Sequence, residues 1–147
     1  MEIDPRGPRF GAFITIAVLA VVLVTRSAWL LAFQVLVFAI GALAGLRYAP
    51  YGLLYRWLIR PRLGPPSHTE AEAPPRFAQG MGAVFALAGV IAFAAGSSIV
   101  GIVFAALALA AAFLNAVFDF CLGCQVYLFI QRAKPSTQPA VGPDLEV

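Results

Sequence analysis

What most constrains this chain is a series of apolar runs with no Asp, Glu, Lys or Arg inside them: Phe10 to Thr25, Ala28 to Leu46, Gly80 to Gly96 and Ile99 to Phe118. Each approaches the roughly 20 residues that a helix needs to cross about 30 Å of hydrocarbon. The chain has 147 residues, 61% of them hydrophobic, and a soluble core of that size could not hide so much apolar surface. The expected class is all-α, a four-transmembrane-helix bundle, with the first run the shortest.

The N-terminal run reads as a retained helix. Glu2 and Asp4 dilute a positive n-region, and no small-x-small cleavage pattern follows before Arg26. Asp4 before Pro5 and Pro8, and Pro75 before Arg76-Phe77, suit helix starts, because proline has no N–H to leave unsatisfied in a first turn.

Basic residues set the expected orientation. Arg6, Arg9, Arg47, Arg56, Arg60, Arg62, Arg76, Arg132 and Lys134 fall in the N-terminus, the central loop and the tail, and only Arg26 falls on the other side. The expectation is a multi-pass protein of the bacterial plasma membrane with both termini cytoplasmic. Its net charge of +3 is then topogenic and lipid-directed, and a nucleic-acid partner is excluded for want of a soluble basic surface.

The chain reads as duplicated. Pro8-Arg9-Phe10 opens one hairpin and Pro75-Arg76-Phe77 a second; Tyr55-x-Trp57-x-x-Arg60 after the first matches Tyr127-x-Phe129-x-x-Arg132 after the second. Two crossings per unit make the repeat parallel, each copy followed by a short interfacial or extended helix. The expected organisation is one membrane domain, 1–132, with hairpin one at 8–60, a polar loop at 61–74 and hairpin two at 75–132. A disordered cytoplasmic tail, 133–147, completes it. Tyr51 to Ile59 mixes aromatics with arginine, as an interfacial helix does.

Cys121 and Cys124, the only cysteines, are three residues apart where the last apolar run meets charge. That spacing can close a disulfide across one turn, and Gly123 relaxes the backbone there. A reducing cytosol disfavours a permanent structural disulfide, leaving redox cycling, sulfur transfer or metal binding; inert packing of two small hydrophobes is the fourth reading. A four-thiolate zinc site lacks its second pair, so no metal is assigned.

Asp119 is the only acid beside a membrane segment. It reads either as proton acceptor for a thiol or as a topological anchor, ion-paired with Arg47 at the matching position of the first copy. On a continuous helix Asn115 shares its face and the cysteines point the other way, so the groups cooperate only if the helix breaks near Gly123 or across a subunit boundary. Gly41-x-x-x-Gly45 and the alanines from Ala105 to Ala112 read as close helix packing. His68 reads as solvated.

Asp4 through Phe10, Tyr51-Gly52-Leu53-Leu54, Arg60 through Pro66, Pro75-Arg76-Phe77 and Asn115 through Tyr127 resemble an uncharacterised family of small four-helix membrane proteins, mainly actinobacterial, catalogued as a domain of unknown function. In plan the chain is also similar to DoxX-like proteins and to vitamin K epoxide reductase-like oxidoreductases, which pair a helical Cys-x-x-Cys with a quinone. It departs from the latter in its cytoplasmic cysteines and in having no shuttle cysteines. No cofactor is expected; a quinone stays open as an alternative that nothing in the sequence supports.

The leading expectation is thiol–disulfide exchange or sulfur handling by Cys121 and Cys124, with Asp119 assisting and a cytosolic thioredoxin- or rhodanese-type protein as partner. A non-enzymatic accessory subunit of a larger membrane complex is the alternative. Transport of a small sulfur species is a third, opposed by the scarcity of polar residues in the segments.

Overall fold

The computed structural model describes residues 2–134, so the expected tail from Pro135 onward lies outside the described residues. Helices α1 (Arg6–Thr25), α2 (Ala28–Leu43), α3 (Pro50–Leu58), α4 (Arg60–Leu63), α5 (Ala73–Ala94), α6 (Ser98–Phe118) and α7 (Leu122–Ala133) make it all-α, apart from a two-residue pairing. In that pairing β1 (Glu2–Ile3) runs antiparallel to β2 (Glu70–Ala71), which returns the polar loop to the N-terminus.

Helices α1, α5 and α6, of 20, 22 and 21 residues, are long and apolar enough to cross a membrane; α2 is apolar but shorter. Two expectations are corrected here. The helix that carries the first run, extended back to Arg6, is not the shortest, and the second stops at Leu43 rather than Leu46, leaving α2 with 16 residues. The cause is local: Gly45 takes φ +107°, where a helix cannot continue, and a 3₁₀ turn follows at Leu46–Tyr48.

The ends of α2 are satisfied by side chains. Ser27 Oγ accepts from the Leu30 N–H at 3.2 Å. At the other end Arg76 donates through Nε to the Ala42 carbonyl at 2.6 Å and through Nη2 to the Leu43 carbonyl at 2.7 Å. Glu72 accepts from the Leu46 N–H at 2.9 Å. The turns between α1 and α2 and between α5 and α6 are tight, closed by left-handed Arg26 (φ 54°) and by Gly96 (φ 86°).

The core gathers Leu19 and Val22 of α1, Leu31 and Phe38 of α2, Ala86 of α5, and Ala105 and Ala108 of α6. Helix α5 lies against α2, α6 and α7, and α1 against α6 and α3. Small residues dominate the α5–α6 side of this core, while Val24, Trp29, Leu43 and Ile99 are each about 80% exposed or more. A surface more apolar than parts of its interior suits hydrocarbon and not water.

Matching contacts recur in the two halves. Phe10 and Tyr55 have ring centroids 5.8 Å apart, and Phe77 and Tyr127 5.6 Å. Arg76 of the second half bonds the end of α2, and Arg9 of the first donates through Nε to the Ala116 carbonyl near the end of α6, at 2.9 Å.

Candidate functional site

The helix breaks earlier than Gly123. Helix α6 ends at Phe118, and Asp119 turns left-handed at φ 55°, a conformation its short polar side chain tolerates. The Phe120 N–H then reaches back to the Leu114 carbonyl at 3.1 Å. Cys121 is extended and caps α7, its Sγ accepting from the Cys124 N–H at 3.2 Å. Cys121 and Cys124 are joined as a disulfide with Cα atoms 5.1 Å apart, within the range such bridges favour.

Gly123 fixes where this turn sits. A Cβ there would overlap Ala78 of α5, so only glycine lets the first turn of α7 press onto that helix. Both cysteines are half-buried. Cys121, with Leu122, Gly123 and Val126 of α7, lines a cavity of about 360 Å³ bounded by α1, α5 and α6. Thr15, Gln79 and Asn115 are its polar members, and no charged residue lines it.

Of the residues singled out from sequence, the structure therefore brings Cys121 and Asn115 to one cavity. Asp119 is exposed and outside its lining. Among the described residues the ion pairs are Asp4 with Arg6 at 3.0 Å and His68 with Glu70 at 3.7 Å, so the expected Arg47–Asp119 pair is not formed. The turn at Leu46–Tyr48 instead sets the Arg47 guanidinium 5.8 Å over the Tyr48 ring. Gly41 packs against the Gln79 side chain, while Gly45 has left the helix, so the two do not form one packing stripe. His68 is exposed.

A second cavity, of about 310 Å³, lies between α1 and α3, with Pro8 and Gln79 common to both. Two networks that sequence reasoning missed stand at its edge. Asp4 accepts from the Arg6 backbone N–H at 3.0 Å, from the Arg6 guanidinium, and from the Tyr55 hydroxyl at 3.0 Å. Burial pushes the Asp4 carboxyl up, but these hydrogen bonds together outweigh it and hold it below its ordinary value. Tyr55 is pushed up by burial and by its bond to Asp4.

The other network joins Tyr51, whose hydroxyl donates to Gln34 Oε1 at 2.8 Å, to an α2 residue with no exposed surface. Burial raises Tyr51. The Gln34 Nε2 is buried without a partner among the described residues. The signal was present, since Gln34 is the only polar side chain in α2.

Among the described residues no group of three or more His, Cys, Asp or Glu gathers where it could hold a metal ion. A family model described as "Domain of unknown function (DUF4395)" matches residues 3–132. No curated protein and no solved structure matches the chain.

Proposed function

Since the chain belongs to the DUF4395 family, whose function is unknown, we propose that it is a membrane-embedded thiol–disulfide exchange protein with Cys121 and Cys124 as its reacting pair. One observation carries this: the pair is bridged at the break between α6 and α7, with Cys121 capping the shorter helix. An amide that bonds a cysteine sulfur also stabilises its thiolate, which makes the same sulfur a better leaving group on reduction.

In this reading the protein is a four-helix bundle of the bacterial plasma membrane, one domain over 1–132 built from two parallel hairpins, with both termini cytoplasmic. The arginine distribution and the matching Phe10–Tyr55 and Phe77–Tyr127 contacts support it. A cytosolic dithiol protein of thioredoxin type attacks one sulfur, forms a mixed disulfide, and is released when its second thiol attacks the linking sulfur. Exposed Asp119 two residues from Cys121 accepts a proton at the membrane face.

The test is the state of the pair in intact cells, read by acid quench and mass-tag alkylation before and after an oxidant pulse. Oxidation and recovery, with mixed disulfides trapped by Cys121→Ser or Cys124→Ser and lost in the double variant, is the expected result. A pair unchanged by the pulse, with no trapped partner, overturns the proposal.

A second reading, an accessory subunit, has one observation in its favour: α7 buries none of its residues and exposes Leu128, Phe129 and Ile130. Recovery in mild detergent with a stoichiometric larger membrane protein is its signature.

A further inference from the structure

The cavity between α1 and α3 differs from the one beside Cys121 in being charged on one side and apolar on the other. Arg47, Arg56 and Arg60 are lining residues that stay exposed, whereas Val37, Leu46 and Ala49 line it from buried positions. The carboxylates in the lining are already engaged. Glu2 accepts from Thr69 Oγ1 at 2.5 Å, and Asp4 is held by Arg6 and by the Tyr55 hydroxyl. The arginines are not engaged in this way: among the described residues none of Arg47, Arg56 and Arg60 pairs with an acid. Arg56 donates to the Arg47 carbonyl, which draws its guanidinium to the turn that carries Arg47. Like charges gathered at one mouth repel one another, and an anion lodged among them removes that cost.

The surface beside the mouth says where such an anion comes from. Trp57 follows Arg56 on α3 and is 82% exposed, and exposed tryptophan next to arginine favours the headgroup level of a bilayer. Lipid phosphates are concentrated at that level. We infer that this cavity binds one anionic phospholipid, its phosphate held by Arg47, Arg56 and Arg60 and its glycerol end lying against Val37, Leu46 and Ala49. Guanidinium suits the task, because its planar fork meets two phosphate oxygens at once. At about 310 Å³ the cavity is at the small end of ligand sites, which run to about 1,000 Å³, so it encloses a headgroup and leaves the acyl chains in the bilayer. A zwitterionic headgroup fits less well, since its ammonium would face the same arginines.

No cysteine lines this cavity, so the site goes beyond the thiol-exchange reading and needs only that the chain lie in a membrane. The full-length protein in a maltoside detergent is titrated with dioctanoyl phosphatidylglycerol, and native mass spectrometry counts the lipids bound. Dioctanoyl phosphatidylcholine and glycerol phosphate are the comparison ligands.

Saturable binding of one phosphatidylglycerol, tighter than phosphatidylcholine and weakened by added salt, is expected. Arg56→Gln and Arg60→Gln should each weaken it by about tenfold or more, the loss expected for a hydrogen bond between charged groups. Arg60→Lys should restore only part, because it returns the charge without the fork. Arg62→Gln and Arg132→Gln remove the same charge outside the lining and should leave binding unchanged, as should replacing both cysteines by serine. Unfolding midpoints without lipid, unchanged for these exposed arginines, keep a lost site distinct from a lost fold. Uptake that never saturates, or that falls equally in Arg62→Gln and Arg132→Gln, is attraction to a basic surface and overturns the inference. Displacement of the lipid by an equal concentration of glycerol phosphate assigns the cavity to a soluble phosphate ester and overturns the lipid as its occupant.

Discussion

Arg9 and Ala116 are joined across 107 residues of sequence by a hydrogen bond of 2.9 Å from the guanidinium Nε to the carbonyl. The last carbonyls of a helix lack intrahelical partners, and near hydrocarbon each unmet one is costly. Arg9 meets one for α6, as Arg76 meets two for α2.

Replacing Arg9 or Arg76 by Met keeps the aliphatic stem and removes the donors. Each change should cost about 1.5 to 3 kcal/mol, the range for hydrogen bonds to charged groups. Arg76→Met is the larger because it frees two carbonyls. Reversible unfolding in mixed detergent micelles measures both, and equal, negligible losses would show that water serves these carbonyls as well.

The Asp4 network predicts two pH wings. Asp4 titrates lower when folded than its ordinary value of 3.8, so its contribution is complete above that value and is lost as pH falls through the folded one. Tyr55 titrates higher than its ordinary 10.0, so its contribution is complete below that value and is lost as pH rises through the folded one. Asp4→Asn should flatten the acid wing and shrink the alkaline one, and Tyr55→Phe should shrink the alkaline wing to the part that buried Tyr51 supplies. Thermal midpoints across a pH series read this directly.

At Gly123, alanine places a methyl group into Ala78. The expected cost is about 1 to 3 kcal/mol of overpacking, because helix backbone has little room to retreat. The same variant should make Cys121 and Cys124 more accessible to alkylation after reduction, since α7 must lift from α5. Unchanged stability and labelling would mean that the contact is already loose.

Gln34 and Tyr51 call for a double-mutant cycle. Tyr51→Phe leaves both ends of a buried amide unpaired and should cost about 1 to 3 kcal/mol; Gln34→Leu strands the tyrosine hydroxyl at a smaller cost. Combined, the changes remove every unmet polar atom and should cost less than their sum, by about 1 kcal/mol or more. Additive losses would show that the bond contributes nothing to the pairing of α2 with α3.

Much of the helical architecture was legible because charge-free runs of this length have few places to go. Thr25 and Phe118 close α1 and α6 where the sequence turns polar. The end of α2 was not legible, because nothing apolar stops at Leu43; the stop is made by Gly45 and by two distant residues, Glu72 in the expected polar loop and Arg76 at the expected start of the second hairpin. The site divides similarly. The cysteine pair and Asn115 stand out by composition, but their common cavity depends on a break at Asp119 that a continuous-helix projection moved to Gly123. Gln79 lies within a helical run where one amide carries no periodic signal, and its value comes only from the neighbours that folding supplies.

The brevity of α2 also acts on the lipid. Its 16 residues rise only about 24 Å, against a hydrocarbon core of about 30 Å. In the proposed four-helix bundle, acyl chains that fit α1, α5 and α6 would overshoot α2, so the leaflet beside it would pinch inward, carrying phosphates and water toward Leu43 and the Glu72–Leu46 tie. Shorter-chain lipids would relieve that pinch and longer ones deepen it. Membrane thickness would then be a mechanical load on this one corner of the protein.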